Sequence, residues 1–244
     1  MVSKNQIKLI TSLQQKKYRQ SNQLFLAEGT KVISEFYKSG WKLQSLFATE
    51  NLPFISAKKT ILITEQELKK ISALKTPNTA LALFYIPEQN PKIEPSFSVV
   101  LDGIQDPGNL GTIVRLCDWF GVKQLVCSID TADCFNPKVV QASMGSLARV
   151  NVVYCDLEKF LSENNKLPVY GAFMDGKNIY KQKLPENAVL VLGNEGNGIS
   201  SKIEQLIASK IAIPQFNPEQ LTESLNVATA AAIILSEFHR TIGK

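Results

Sequence analysis

His239 is the single histidine among 244 residues, so a Ser-His or Cys-His nucleophile pair has only that one C-terminal ring to draw on, and the usual His-rich metal sites lack their ligands. The four cysteines, Cys117, Cys127, Cys134 and Cys155, never pair as Cys-x-x-Cys, which argues against both a zinc site and a disulfide framework and suits a reducing cytoplasm. No run of about 18 apolar residues occurs, so no membrane-spanning helix is expected. Neither a Gly-x-Gly-x-x-Gly turn after a first strand nor a Gly-x-x-x-x-Gly-Lys-Ser/Thr loop is present, which removes the common dinucleotide and nucleoside-triphosphate cradles. Acidic residues are missing from Met1 to Ala27, while Lys4, Lys8, Lys16, Lys17 and Arg19 all fall there ahead of Glu28. The net charge is only +5, so affinity for a polyanion must come from this uneven placement rather than from the total. An acid-free basic start also suits an organelle transit peptide, but this one runs straight into Leu24-Phe25-Leu26 without a cleavage region, and a cytoplasmic protein is expected.

What is present is enough apolar material, 44% of residues, for one large or two modest cores. The proline-punctuated stretch Pro87-Glu88-Gln89-Asn90-Pro91-Lys92, followed by Pro95-Ser96, separates two apolar regions and predicts a linker over 91–96, between domains at 1–90 and 97–244. Upstream, a helix near Lys4 to Gln15, an apolar segment at Phe25, a helix from Lys31 to Lys38 and strand-like runs at Leu43 to Ala48, Ile61 to Ile63 and Ala80 to Tyr85 predict a small α/β domain. Downstream, short apolar runs at Ser98, Gln124, Val150, Val169, Val189 and Ile211 alternate with helical patterns, the signature of a parallel sheet covered on both faces. Ligands of such sheets gather at the carboxyl ends of the strands.

Three segments would lie at those ends. Leu190-Val191-Leu192 leads into Gly193-Asn194-Glu195-Gly196-Asn197-Gly198, a turn whose glycines permit positive φ and close backbone approach, with Ser200 placed to cap a following helix. On its own the loop is equally a tight βα turn, and Glu195 equally an acid complementing a helix dipole. Asp102-Gly103-Ile104-Gln105-Asp106-Pro107-Gly108-Asn109 precedes a helix on which Leu110, Ile113, Val114, Cys117 and Phe120 form the apolar stripe, while Asn109, Thr112 and Arg115 sit on another face. Ile213-Pro214 is followed by a loop carrying Phe216, Pro218 and Glu219, then by Thr222-Glu223-Ser224-Leu225-Asn226-Val227. The helix after it is apolar or small on nearly every side, and Ser224 is its expected cap.

Taken together, the Asn109–Arg115 pair, Leu192 to Gly198, and Ile213-Pro214 with Ser224-Leu225-Asn226-Val227 resemble the three motifs of the SpoU (TrmH) family of RNA ribose 2′-O-methyltransferases, a branch of the SPOUT class. The N-terminal part, through Lys8-Leu9-Ile10, Lys16-Lys17-Tyr18-Arg19 and Phe25 to Gly29, resembles the L30e-like substrate-binding domain that precedes many of them. The resemblance implies an α/β parallel-sheet domain of SPOUT type with a C-terminal trefoil knot behind a small L30e-like domain. It implies S-adenosylmethionine as cofactor, held by Leu192, Gly193, Asn194, Gly198, Ile213, Pro214, Ser224, Leu225 and Val227. It further implies catalytic roles for Arg115, Asn109, Glu195, Ser224 and Asn226, a homodimer, no metal, and an RNA partner touched by Lys16, Lys17 and Arg19, with Lys123, Lys138 and Arg149 as further candidates. Ribosomal RNA is the expected substrate. The alternatives are a tRNA 2′-O-methyltransferase, a non-catalytic RNA-binding protein of the same fold, and a nucleotide-dependent oxidoreductase, the last opposed by the missing glycine fingerprint.

Overall fold

The computed structural model describes residues 1–88, 96–163, 166–217, 219 and 224–240, so most of the expected linker, and Pro218, Thr222 and Glu223, lie outside the described residues. The chain folds into two compact units that do not follow a single cut: one comprises Met1–Gln89 with Asp133–Arg149, the other Asn90–Ala132 with Val150–Lys244.

The first unit opens with α1 (Lys4–Ser12), started by a capping box in which Ser3 accepts from the Gln6 N–H and the Gln6 side chain accepts from the Ser3 N–H. It ends three residues short of the expected Gln15, and a second helix that the periodicity does not predict, α2 (Lys16–Asn22), follows and stops at Gln23 in a left-handed conformation. Then come β1 (Leu24–Glu28), α3 (Thr30–Lys38), β2 (Leu43–Ala48), β3 (Thr60–Leu62), α4 (Glu65–Ile71) and β4 (Ala80–Tyr85). The α4 start carries a second capping box, Thr64 with Glu67, a signal legible in Thr-Glu-Gln-Glu. The sheet runs β1-β4-β2-β3. All of β1 is buried because both faces are covered. Leu24 and Leu26 join Ile10, Leu13, Leu68 and Ile71 on one side, while Phe25 on the other packs against Phe36, Trp41 and Phe84.

The second unit contains β5 (Ser98–Asp102), α5 (Pro107–Trp119) and β6 (Gln124–Cys127); the chain then contributes α6 (Pro137–Ala142) to the first unit. There Phe135 packs at a tilt against Phe25, and Trp41 donates to the Ala148 carbonyl at 3.3 Å. The chain continues in the second unit through β7 (Asn151–Tyr154), α7 (Leu157–Glu163), β8 (Val169–Asn178), β9 (Val189–Gly193), α8 (Ser201–Glu204), β10 (Ser209–Ala212) and α9 (Val227–His239). Its six strands are all parallel, in the order β10-β8-β9-β5-β6-β7. The apolar stripe of α5 is buried as Leu110, Ile113, Val114 and Cys117, and α5 packs against α9. Burial pushes the Cys117 thiol up to about 12, aided by nearby Asp118, so it behaves as a small apolar core group. Among the described residues no helix is long and apolar enough to cross a membrane, and no cluster of three potential metal ligands occurs.

Candidate active site

The strand order reverses at β5. The connection after β5 leads through α5 to β6 on one side, whereas that after β9 leads through α8 to β10, beyond β8 on the other. Loops that diverge in this way open a crevice outside the strand ends. The register Asp102↔Gly193 sets the ends of β5 and β9 level, so the two sequence-predicted loops emerge side by side.

The glycine loop is built from within. Asn194 and Gly198 exchange backbone hydrogen bonds at 2.9 Å each way, and the Asn194 side chain accepts from the N–H groups of Gly196 and Asn197. Its amide donates to the Gly103 carbonyl at 2.6 Å, tying this loop to the other. Asn194 therefore shapes the loop with its side chain and backbone and ties it to its neighbour. Gly193 is required because a Cβ there would stand 2.3 Å from the Gly198 carbonyl carbon and the Ile199 nitrogen. Gly198 has φ +68°, with open space where a side chain would stand. Asp102, which the motif reading passed over, accepts from the Ser200 N–H at 2.7 Å. Ser200 itself holds the cap position of α8 without a side-chain cap bond.

A hydrogen-bonded chain joins all three predicted segments. Glu195 accepts from the Gln105 and Asp106 N–H groups at 3.2 and 3.3 Å and from the Asn109 amide at 2.9 Å. Asn226 in turn donates to the Asn109 side-chain oxygen at 2.9 Å, while its own oxygen accepts from the Ala228 and Thr229 N–H groups. Asn226, not Ser224, is thus the cap of α9: an exposed Ser224 stands two residues too early. Asp106, followed by Pro107, caps α5 two residues ahead of the expected start, so Asn109 lies inside the first turn. Partial burial raises the Glu195 carboxyl, but the hydrogen bonds from Asn109, its own N–H, Gln105 and Asp106 outweigh this and hold it below the ordinary carboxylate range. Glu195 is an anion fixed at the entrance of α5, so the dipole role open to it is exercised on a different helix from the one that follows it.

Arg115 stands apart from this chain. It is exposed six residues along α5, about 9 Å down the axis from Asn109 at 1.5 Å per residue. Among the described residues no hydrogen bond or ion pair occupies its guanidinium. Leu192 and Val227 are buried, Ile213 and Pro214 half-buried, and Leu225 is 46% exposed. In the first unit Lys16 and Lys17 are exposed, but Arg19 is not with them: at 2% exposure it donates to Asp133 at 3.0 and 2.5 Å and to the Leu13 and Gln14 carbonyls. Its guanidinium is consumed by the fold, which corrects its expected place on an RNA face. Arg149 is likewise engaged by Glu35.

Residues 96–236 match the SpoU rRNA Methylase family, and residues 4–82 match the MRM3-like substrate binding domain. The chain belongs to the SpoU rRNA methylase family. It is 31% identical over 243 residues to the 23S rRNA (guanosine(2553)-2'-O)-methyltransferase RlmP of Bacillus subtilis, covering 96% of both chains. Its fold is similar to that of a TrmH-family protein from Porphyromonas gingivalis, at TM-score 0.88 and 39% identity over 98% of this chain and 99% of that one. It is also similar to an AdoMet-bound rRNA methyltransferase from Sinorhizobium meliloti, at TM-score 0.88 and 27% identity over 100% and 98%. The SpoU assignment and the parallel sheet expected with it agree.

Proposed function

We propose that this protein transfers a methyl group from S-adenosylmethionine to a ribose 2′-hydroxyl of ribosomal RNA. The observation that carries the reading is the continuous Glu195–Asn109–Asn226 chain, which makes one site of the three segments that the family motifs mark. Mapping 2′-O-methyl positions in ribosomal and transfer RNA from cells with and without the gene tests it. Loss of one ribosomal site is expected; loss of a transfer RNA site alone would favour the tRNA alternative, and no loss the binding-only one.

The residues fit the cofactor. A glycine loop with open space over Gly198, flanked by the partly exposed apolar Ile213, Pro214 and Leu225, offers backbone and an apolar wall to a nucleoside. Leu192, Gly193, Asn194, Ser224 and Val227 complete the set that would hold it, and when bound it supplies an electrophilic methyl on a sulfonium. Glu195, with a lowered pKa and three outside donors on its carboxylate, is a poor proton acceptor; it orients Asn109, which with Asn226 positions the ribose. Arg115, with an unoccupied planar fork, binds the adjoining phosphate and stabilises charge developing on the 2′-oxygen. Arg115→Lys is expected to slow single-turnover methylation by about 10-fold or more, in line with a lost bidentate contact to an anion; wild-type turnover by that variant would refute the role.

The same proposal takes residues 1–90 as the RNA-binding domain, with exposed Lys16 and Lys17 as contacts, and 97–244 as the catalytic domain, joined over 91–96. The match to the substrate-binding family supports it. A trefoil knot belongs to it too, supported by a strand order in which β9 inserts between β8 and β5, both earlier in the chain. For the homodimer, support comes from α9, whose Ala230, Ala232 and Ile233 stay half-buried beside its buried face. Sedimentation at working concentration decides between dimer and monomer.

A further inference from the structure

Residues 172–176 of β8 bulge away from β10: Gly171 pairs with Lys210, yet Lys177 pairs with Ile211 and Asn178 with Ala212. Gly176 makes the return possible, because a Cβ there would lie 2.5 Å from the Ile211 carbonyl carbon. The bulge delivers a turn, Ile179–Lys181, beside the end of β10 at the carboxyl edge of the sheet, where Asn178 fixes it by accepting from the Tyr180 N–H at 2.9 Å. Ile179 is buried and the turn packs against α9, the helix capped by Asn226. Two aromatic rings are left open beyond these strand ends: Tyr180, 46% exposed two residues after β8, and Phe216, 83% exposed four residues after β10. The strand ends that carry them are neighbours in register.

Lys177, Lys181 and Lys183 are exposed along the same stretch, and among the described residues no ion pair takes them up. Exposed rings interleaved with cations that no ion pair takes up suit a chain of phosphates carrying stackable bases. From this juxtaposition we infer that Tyr180 and Phe216, with Lys177, Lys181 and Lys183, form a subsite for an unpaired RNA segment beside the methyl-transfer site, the rings stacking on bases and the lysines holding phosphates. The inference rests on the proposed RNA substrate and names where a single strand is gripped.

The test uses the full chain and two labelled probes, a single-stranded oligoribonucleotide of about 20 residues and its duplex, with S-adenosylmethionine affinity read by calorimetry and self-association by sedimentation. Tyr180→Ala and Phe216→Ala are each expected to weaken single-strand binding on the order of 10-fold, Tyr180→Phe and Phe216→Tyr to preserve it, and duplex and cofactor affinities to stay unchanged. Neutralising the three lysines together should reduce the salt slope of single-strand binding by about 2. Unchanged single-strand affinity in both alanine variants overturns the inference, as does a loss confined to S-adenosylmethionine binding, which would make the rings a cofactor wall. A shift in self-association without loss of RNA binding overturns it in favour of an interface between copies. Failure of the wild-type protein to bind the single strand also overturns it, whereas failure of the proposed function is read separately, as absence of ribose methylation on ribosomal RNA.

Discussion

Glu195 is the carboxylate on which the donors of the site converge. Its partners are backbone N–H groups at the entrance of α5 and the Asn109 amide, all donors, so the negative charge is what they are arranged around. Glu195→Gln keeps the shape but presents an amide to those donors. Losing a charge-assisted contact of about 1.5–3 kcal/mol predicts a drop in single-turnover methylation of roughly 10- to 100-fold, together with a lower melting temperature. The pH dependence has a definite sign. Because the folded carboxyl titrates below its ordinary value of 4.5, its contribution is present in full above that value and is lost as pH falls through the lower, folded one. Acidification to about pH 5 should therefore leave the loop intact, and amide exchange at Gln105 and Asp106 should accelerate only below the ordinary carboxylate range. Exchange that accelerates between pH 7 and 5 would contradict the arrangement.

Among the elements, α9 couples helix stability to the site through one side chain. Asn226 uses its oxygen to cap the helix and its amide to hold Asn109. The two jobs separate by substitution. Asn226→Asp retains the cap acceptor and suits the helix dipole, so thermal stability should hold, but it offers no amide donor to Asn109 and methylation should fall. Asn226→Ala loses both and should also cost about 1 kcal/mol of stability. Equal activity in the aspartate variant and the wild type, measured under single-turnover conditions, would detach Asn226 from the site. Most elements were legible as sequence: the periodicity predicts β6, β9, α3 and the apolar stripe of α5 nearly to the residue. The helix α2 was not, because the mostly polar residues from Gln14 to Gln23 carry little periodic signal. The α5 start was also misplaced, although Asp106-Pro107 is itself a cap followed by a first-turn proline.

For the whole molecule, the segment Asp133–Arg149 is the informative part. It lies within the span that matches the methylase family, between two strands of the parallel sheet, yet it belongs by packing to the N-terminal unit. Asp133 meets the buried Arg19 there, and Phe135 adds to the ring cluster of Phe25, Phe36 and Trp41. Asp133→Ala would leave Arg19 charged and buried with only carbonyl partners, a change expected to cost about 3–5 kcal/mol. Denaturant unfolding followed by Trp41 fluorescence, in a Trp119→Phe background, would measure it; a loss below about 1 kcal/mol would show that water reaches the pair. No local pattern announces such a contact, since 114 residues separate Arg19 from Asp133.

By itself, the sequence determined the alternation of strands and helices, the three motif segments and the family they resemble, because each rests on periodicity or spacing along the chain. The glycine loop's need for Gly198 was legible for the same reason, since the freedom to adopt positive φ is a property of the residue, whereas Gly193 is required by the close return of Gly198 and Ile199. Only the tertiary structure decided which polar groups meet. It joined Glu195 to Asn109 and Asn109 to Asn226, committed Asn194 to its own loop, and withdrew Arg19 from the basic arm into the interior. Hydrogen bonds and burial are set by distance in space, and residues 86, 117 or 114 positions apart acquire that distance only when the sheet has formed.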